Sequence, residues 1–282
     1  MGNCLKNYEE ELYSDQLTST DEEIESKFKF ANVIGSGRFS EVRKATDPTG
    51  KSFAVKCIRL SEVRHELHLI KREVSILKKV SHPNILRLHE VYQDAEYLYL
   101  VMDFYPNGNL ADLINRLGPL PVDKAKIVAR FLLSALSHLH SMKICHRDIK
   151  PENILFSETG KPVLADFGFA RYITSVNGLS TLGTPLFLAP EINDGTYDSK
   201  CDVWSLGISL YYALTGLLPF KGEFLDELMR NIKLAPIAWD KLGDQESNFL
   251  KIMLERNYKN RASADELLQH EWLTGHKTAI EM

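Results

Sequence analysis

Apolar residues are patterned differently in the two parts of the chain. From about Phe28 to Met102 the signals are mostly strand-like, interrupted by one strong helical stretch between Ser61 and Val80. From Asn109 onward helical patterns dominate, with turn residues at Gly118-Pro119, Thr159-Gly160 and Gly216 to Pro219. Residues 1–27 are rich in Glu and Asp and short of apolar periodicity, which predicts an appended acidic extension with some helix. The pattern predicts an α+β protein, a small sheet-rich half followed by a larger helical half. Val203 to Phe220 carries no charged residue and passes a crude length test for a membrane span. Its Ser205, Gly207, Ser209, Thr215, Gly216 and Pro219, with Asp202 at its start, favour a helix buried at the centre of the helical half.

The helical stretch contains an anomaly. With each residue turning about 100°, Leu69, Ile70, Ile76, Leu77 and Val80 all fall within about 60° of Glu73, so this acid lies in the middle of the apolar face. A carboxylate placed there needs a partner, because burying it unpaired is costly. Lys56, at the end of the short apolar strand Phe53-Ala54-Val55-Lys56, is the natural candidate.

The densest chemistry lies at His146-Arg147-Asp148-Ile149-Lys150-Pro151-Glu152-Asn153, followed thirteen residues after Asn153 by Asp166-Phe167-Gly168. Taken alone, either run reads as a surface ion-pair cluster or a turn. Together, in this order, they supply what phosphoryl transfer needs, since a loose, highly charged transition state is served by positioning and charge neutralisation. Asp148 would accept the proton of an attacking hydroxyl, and Lys150 would reach the transferring phosphate. Asn153 offers a neutral oxygen and Asp166 a carboxylate, both hard ligands suited to Mg²⁺.

A phosphate-facing loop precedes them. In Val33-Ile34-Gly35-Ser36-Gly37-Arg38-Phe39-Ser40-Glu41-Val42 the two glycines let backbone N–H groups approach phosphate oxygens. A dinucleotide-binding turn would have to open a helix, whereas Glu41 to Ala45 reads as a strand and Ser40 stands where a third glycine is expected. Thr49-Gly50-Lys51-Ser52 resembles the end of a P-loop, yet Ala45 stands where its first glycine belongs, and Asp47-Pro48-Thr49-Gly50 reads as a hairpin turn.

With 282 residues and a formal charge of −4, the chain fits one globule with two lobes and has no global electrostatic pull toward nucleic acid. Cys4, Cys57, Cys145 and Cys201 are scattered without metal-ligand spacing, which suits a reducing cytosol and argues against structural zinc.

From about Phe28 to Leu273 the sequence resembles the eukaryotic protein kinase family. The resemblance rests on Gly-Ser-Gly-Arg-Phe-Ser-Glu-Val, Ala54-Val55-Lys56, Glu73, His146 to Asn153, Asp166 to Gly168, Ala189-Pro190-Glu191, Asp202-Val203-Trp204 and Arg261. It implies a bilobal kinase fold: a small antiparallel β-sheet lobe with one helix (about 28–104) and a larger, mainly α-helical lobe (about 105–273), followed by a short tail (274–282). It further implies ATP and Mg²⁺ as cofactors, with adenine docking between lobes on the backbone of Asp103 to Tyr105 and Met102 as gatekeeper. The implied nucleotide set is Ile34, Gly35, Ser36, Gly37, Val42, Ala54, Lys56, Met102, Asp103, Tyr105, Asn109 and Leu155. Asp148, Lys150, Lys56 and Glu73 form the catalytic set, and Asn153 and Asp166 hold metal. A stacked column of Leu77, Leu88, His146 and Phe167 and a Glu191–Arg261 pair are implied structural features.

Lys150 and Gly183-Thr184-Pro185 suggest serine/threonine specificity, because in such relatives this threonine contacts the catalytic aspartate and lysine. The nearest subgroup looks like calcium/calmodulin-dependent and calcium-dependent kinases, although no Asp-x-Asp-x-Asp-Gly run is present. Asn109 and Tyr212 stand where arginine-directed relatives often carry acids, which puts a strong arginine preference in doubt and leaves Glu152 to hold one. Protein substrates are the implied partners, together with an upstream kinase or autophosphorylation at Thr181 or Ser180, where phosphate would pair with Arg147 and Arg171. Met1-Gly2-Asn3-Cys4 resembles the start of a doubly acylated protein, against Lys6 and the acids Glu9 to Glu11; the expected location is cytoplasmic, membrane-associated where Gly2 and Cys4 are acylated. A pseudokinase scaffold would lack at least one of Lys56, Glu73, Asp148, Asn153 and Asp166, and a lipid or small-molecule kinase fits poorly with the Ala-Pro-Glu segment.

Overall fold

The computed structural model describes residues 24–37, 39–63, 65–173, 184–194 and 198–275. Gly2, Cys4, Ser180 and Thr181, and with them the expected acylation and phosphorylation sites, lie outside the described residues. The chain divides into two compact units, one of residues 1–81 and 86–106 and the other of residues 82–85 and 107–282. The division between 106 and 107 lies close to the one expected near residue 104, and residues 82–85 group with the larger unit. Asn84 donates its side-chain N–H to the Pro162 carbonyl at 2.9 Å and Ile85 bridges Leu164, so the turn after the first long helix belongs to the larger unit.

The small unit is a five-stranded antiparallel sheet in the order β1-β2-β3-β5-β4, made of β1 (Lys29–Ser36), β2 (Ser40–Thr46), β3 (Ser52–Arg59), β4 (Leu88–Gln93) and β5 (Tyr97–Asp103). Both faces of the central β3 are covered, since side chains alternate along a strand. Phe53, Val55 and Cys57 pack with Ala45, Tyr92 and Val101. On the other face Ile58 packs with Val63, Ile70, Val74, Leu98 and Leu100. The first face is closed by α1 (Ile24–Lys27): Ile24 and Phe28 are buried, and the Phe28 ring meets Phe53 edge-on at 5.3 Å. The acidic extension expected to run through residue 27 thus gives way to core at Ile24.

The predicted helix is α2 (Leu67–Lys79), six residues shorter at its start than the pattern implied. Val63 explains the difference. It is buried as the anchor of a turn, with Val63 N–H bonded to Leu60 and Glu66 N–H bonded to Val63, so the apolar period there serves turns and not a helix. Between β2 and β3 the Asp47 carboxylate accepts from Thr49 and Lys51 N–H, each at 2.9 Å, and Gly50 takes φ +87°. The P-loop lookalike is a hairpin turn.

The large unit is mainly helical: α3 (Leu110–Leu117), α4 (Val122–Ser141), α5 (Lys200–Thr215), α6 (Leu225–Leu234), α7 (Asp244–Met253), α8 (Ala264–Leu268) and α9 (Glu271–Thr274). Two short antiparallel pairs, β6 (Ile144–Cys145) with β9 (Arg171–Tyr172) and β7 (Ile154–Phe156) with β8 (Pro162–Leu164), frame the catalytic-type motifs. The uncharged stretch forms α5, buried on nearly every residue, and a helix apolar all round belongs at a core's centre. Gly216 ends it at φ +71°. Among the described residues no helix is long and apolar enough to cross a membrane.

Candidate active site

The glycine loop is the turn of a β-hairpin. Gly35 pairs with Val42 and Ser36 with Glu41, while Gly37 N–H donates to the Ser40 carbonyl at 2.7 Å. The glycines therefore do not open a helix, which removes the dinucleotide-turn reading. Ile34 lies on the same strand. Val42 pairs in turn with Lys56, and Ala54 with Met102, so these positions share adjoining strands of the small unit. Met102 is buried, and Asp103 ends β5 with Tyr105 two residues beyond.

Lys56 and Glu73 meet. The ammonium lies 2.8 Å from Oε1 and 3.0 Å from Oε2, with the Glu73 side chain only 6% exposed. The carboxylate on the apolar face of α2 is thus a paired charge, and in partial burial such a pair is screened far less than on the surface. It fixes the lysine at the middle of β3.

In the large unit the loop after β6 is built around Asp148. Its Oδ2 accepts from Lys150 Nζ at 2.8 Å and from Asn153 Nδ2 at 2.9 Å, and its Oδ1 from Thr184 N–H at 3.2 Å. Lys150 also donates to Thr184 Oγ1 at 3.0 Å. Asp148 is 4% exposed, so its charge is held by directed donors in place of water. The Asn153 amide also donates to the Asp148 carbonyl at 2.8 Å. Two acceptors fix Nδ2 and so assign the other side-chain atom as Oδ1, an acceptor.

Asp166 is exposed, and among the described residues its Oδ1 accepts a long bond from Gly168 N–H at 3.3 Å. The two segments are tied by Ala165 N–H donating to the Asn153 carbonyl at 2.9 Å. An amide oxygen and an exposed carboxylate on two segments joined by that backbone bond are hard-oxygen donors suited to Mg²⁺, so Asn153 and Asp166 fit the ion. Arg147 and Asp166 have φ of +67° and +62°, two of the three non-glycine residues with positive φ among the described residues. Strain of this kind persists where surrounding structure over-determines it.

What over-determines the loop is Asp202, which the sequence offered only as part of a matched motif. Its Oδ2 accepts from His146 N–H at 2.9 Å and its Oδ1 from Arg147 N–H at 2.8 Å. His140 Nε2 donates to Oδ2 at 3.0 Å. Asp202 is fully buried. Burial alone would raise its pKa; the His140 hydrogen bond and charge, with the His146 and Arg147 contacts, outweigh burial and hold it below the ordinary carboxylate value. Its stabilising effect is therefore present above that ordinary value and lost as pH falls through the depressed folded one. A signal was legible: one acid at the head of an uncharged helix must find donors.

His146 Nδ1 accepts from Asp148 N–H at 3.3 Å, which assigns the ring proton to Nε2, 3.1 Å from the Ala165 carbonyl. Its ring stands edge-on to Phe167 at 4.7 Å. Leu77 and Leu88, the other members of the implied column, belong to the small unit, where Leu77 is buried and Leu88 packs on the Ile58 cluster. Arg147 Nε donates to the Phe169 carbonyl at 2.8 Å.

Asn109 and Leu155 lie in the large unit, where they form an antiparallel bridge. Asn109 caps α3 by accepting from Asp112 N–H at 2.8 Å, and the Tyr212 hydroxyl donates to Asn115 at 3.3 Å. Both side chains thus have local partners. Glu152 is exposed. Cys145 and Cys201, 56 positions apart in sequence, meet with sulfurs 3.2 Å apart beside Asp202, a convergence that ligand spacing missed. The Asp202 oxygens are already filled, and burial pushes the Cys145 thiol well above its ordinary value, so the trio is a protonated structural contact. A surface cavity of about 570 Å³ lined by Arg59, Leu60, Leu67, Gln93 and Glu96 contains none of the expected site residues.

Comparison with known proteins agrees with this geometry. The sequence matches the family described as protein kinase domain over residues 28–273. It is 36% identical over 255 residues to Calcium-dependent protein kinase 5 of Plasmodium falciparum (isolate 3D7), covering 87% of this chain and 45% of that protein. Identity is 37% over 264 residues to Serine/threonine-protein kinase PEPKR2 of Arabidopsis thaliana, covering 91% and 55%. It is 35% over 270 residues to Calcium/calmodulin-dependent protein kinase type 1B of Rattus norvegicus, covering 92% and 78%. The chain spans about half the length of the first two relatives. It belongs to the protein kinase domain family.

Proposed function

We propose that the chain is an ATP-dependent serine/threonine protein kinase, transferring the γ-phosphate of Mg-ATP to a Ser or Thr hydroxyl of protein substrates. The observation that carries this reading is the Asp148 carboxylate held by Lys150, Asn153 and Thr184. A carboxylate so oriented accepts the proton of an incoming hydroxyl as the phosphorus–oxygen bond forms. Lys150, already within reach of Asp148 and Thr184, steadies the transferring group, and its contact with Thr184 supports serine/threonine specificity. Lys56, aimed by Glu73, holds the α- and β-phosphates. Asn153 and Asp166 would bind Mg²⁺, which when present neutralises charge on the phosphates. Incubating the purified chain with Mg-ATP and a generic basic protein should place phosphate on serine or threonine; no incorporation above background would refute the proposal.

The activation and location readings rest on sequence and fall under the same proposal. Phosphate on Thr181 or Ser180, from an upstream kinase or autophosphorylation, would pair with Arg147 and Arg171 and order the loop. Acyl chains on Gly2 and Cys4 would attach an otherwise cytoplasmic protein to membranes. Peptide mass spectrometry of the protein from its own cell reads both at once, and unmodified peptides at either end of that expectation would remove the corresponding half.

A further inference from the structure

One side chain outside the set above points at the segment assigned to the nucleotide base. The register of β4 against β5 shifts between Leu88 and Glu90, so His89 sits at an irregularity of the ladder, where a side chain is re-aimed. Its Nε2 lies 2.7 Å from Asp103 Oδ1, and its ring stands at 90° to Phe53 with centroids 5.4 Å apart. Phe53 and Asp103 face each other in the β3–β5 ladder, so ring, imidazole and carboxylate form one cluster at the end of the sheet. The His89 and Asp103 side chains are 19% and 31% exposed, which leaves the contact half-shielded from water. Asp103 N–H also donates to the Arg87 carbonyl at 3.2 Å. The last residue of β5 is thus held twice by the segment that carries His89, once through backbone and once through the imidazole. Two residues on, the Tyr105 N–H has no acceptor among the described residues, as a donor waiting for a base edge requires.

We propose that His89 is a positioning residue for adenine-nucleotide binding: its hydrogen bond to Asp103 fixes the backbone of Asp103 to Tyr105 on which adenine docks. The inference rests on the kinase reading above. Strand ends fray, and an unanchored Asp103 carboxylate would turn to water and let the segment wander. An edge-on ring limits the imidazole to the orientation that makes the bond.

Two substitutions separate the hydrogen bond from the packing. His89→Phe keeps a ring against Phe53 and removes the donor; His89→Gln places an amide N–H near the position of Nε2 and removes the ring. Equilibrium binding of a fluorescent ATP analogue, KM for ATP, kcat and melting temperature are measured for both. His89→Phe is expected to raise the nucleotide Kd and the KM by about five- to tenfold with kcat within about twofold, and His89→Gln to bind within about twofold of wild type. Asp103→Leu should weaken binding to a similar extent, with no further loss in the double variant. The reverse pattern, Phe like wild type and Gln weak, would reduce the contact to packing and overturn the proposal. Unchanged binding in both variants would also overturn it, and phosphate transfer by the wild type would then leave the kinase reading standing. A wild type that neither binds nucleotide nor transfers phosphate would overturn both.

Discussion

Asp148→Asn is expected to lower phosphate transfer to a protein hydroxyl by at least about a hundredfold, the scale of removing a positioned proton acceptor. The argument is one of capacity. The carboxylate accepts from Lys150, Asn153 and Thr184 N–H, and an amide in its place has one oxygen and a nitrogen that must face a donor. The substituted side chain can neither take the hydroxyl proton nor hold Lys150 by charge. Asp148 is not among the residues of the implied nucleotide set, and Lys56 keeps its Glu73 partner, so ATP-analogue binding should survive within about threefold. Initial rates at saturating ATP, with nucleotide binding and melting temperature measured on the same preparation, check this. Transfer by Asp148→Asn at a rate indistinguishable from wild type would sink the assignment of Asp148 as proton acceptor.

Much of the site could be read from the residues because its chemistry is local in sequence. Asp148, Lys150 and Asn153 lie within one loop, and their separations already fit the bonds that gather them. The Lys56–Glu73 pair was legible for another reason: an acid inside a helical apolar face is anomalous until a partner is found. Thr184, expected at Asp148 and Lys150 from family resemblance, takes up that place.

What stayed hidden was long-range or depended on backbone detail. His140 showed no periodicity that would set it apart from other polar positions of α4, and only the fold brings it to Asp202. Cys145 and Cys201 touch because β6 runs against the start of α5, an approach that no spacing rule encodes. His89 reaches Asp103 through a shift in strand register, and strand patterns are blind to such shifts. The fold itself was legible in class and element order. Its boundaries were not: Ile24 joins the core from within an acidic segment, and Val63 lends a helical look to a turn.

The second large effect concerns stability. Arg261 is fully buried and forks onto Glu191, Nη1 to Oε1 at 2.6 Å and Nη2 to Oε2 at 2.9 Å. The same guanidinium donates to the Lys200 carbonyl at 2.9 Å and the Glu255 carbonyl at 2.8 Å, and lies 5.1 Å above the Trp204 ring. Every arm of the fork is therefore occupied. Glu191→Ala leaves the cation buried without its counter-charge, which is expected to cost about 3–5 kcal/mol of unfolding free energy, read from the midpoint shift in urea. The double variant Glu191→Leu with Arg261→Met should recover part of that loss, since replacing both partners of a buried pair by apolar groups removes the stranded charge. The consequence extends to the site. Glu191 ends the stretch that begins at Thr184, and Ser205 of α5 donates to the Phe187 carbonyl of the same stretch at 2.8 Å. Loosening Glu191 should free Thr184 from Asp148 and lower transfer even at temperatures where the protein stays folded. If Glu191→Ala shifts stability by less than about 1 kcal/mol and leaves transfer intact, the pair is an ornament of the fold and the stretch is held by other contacts.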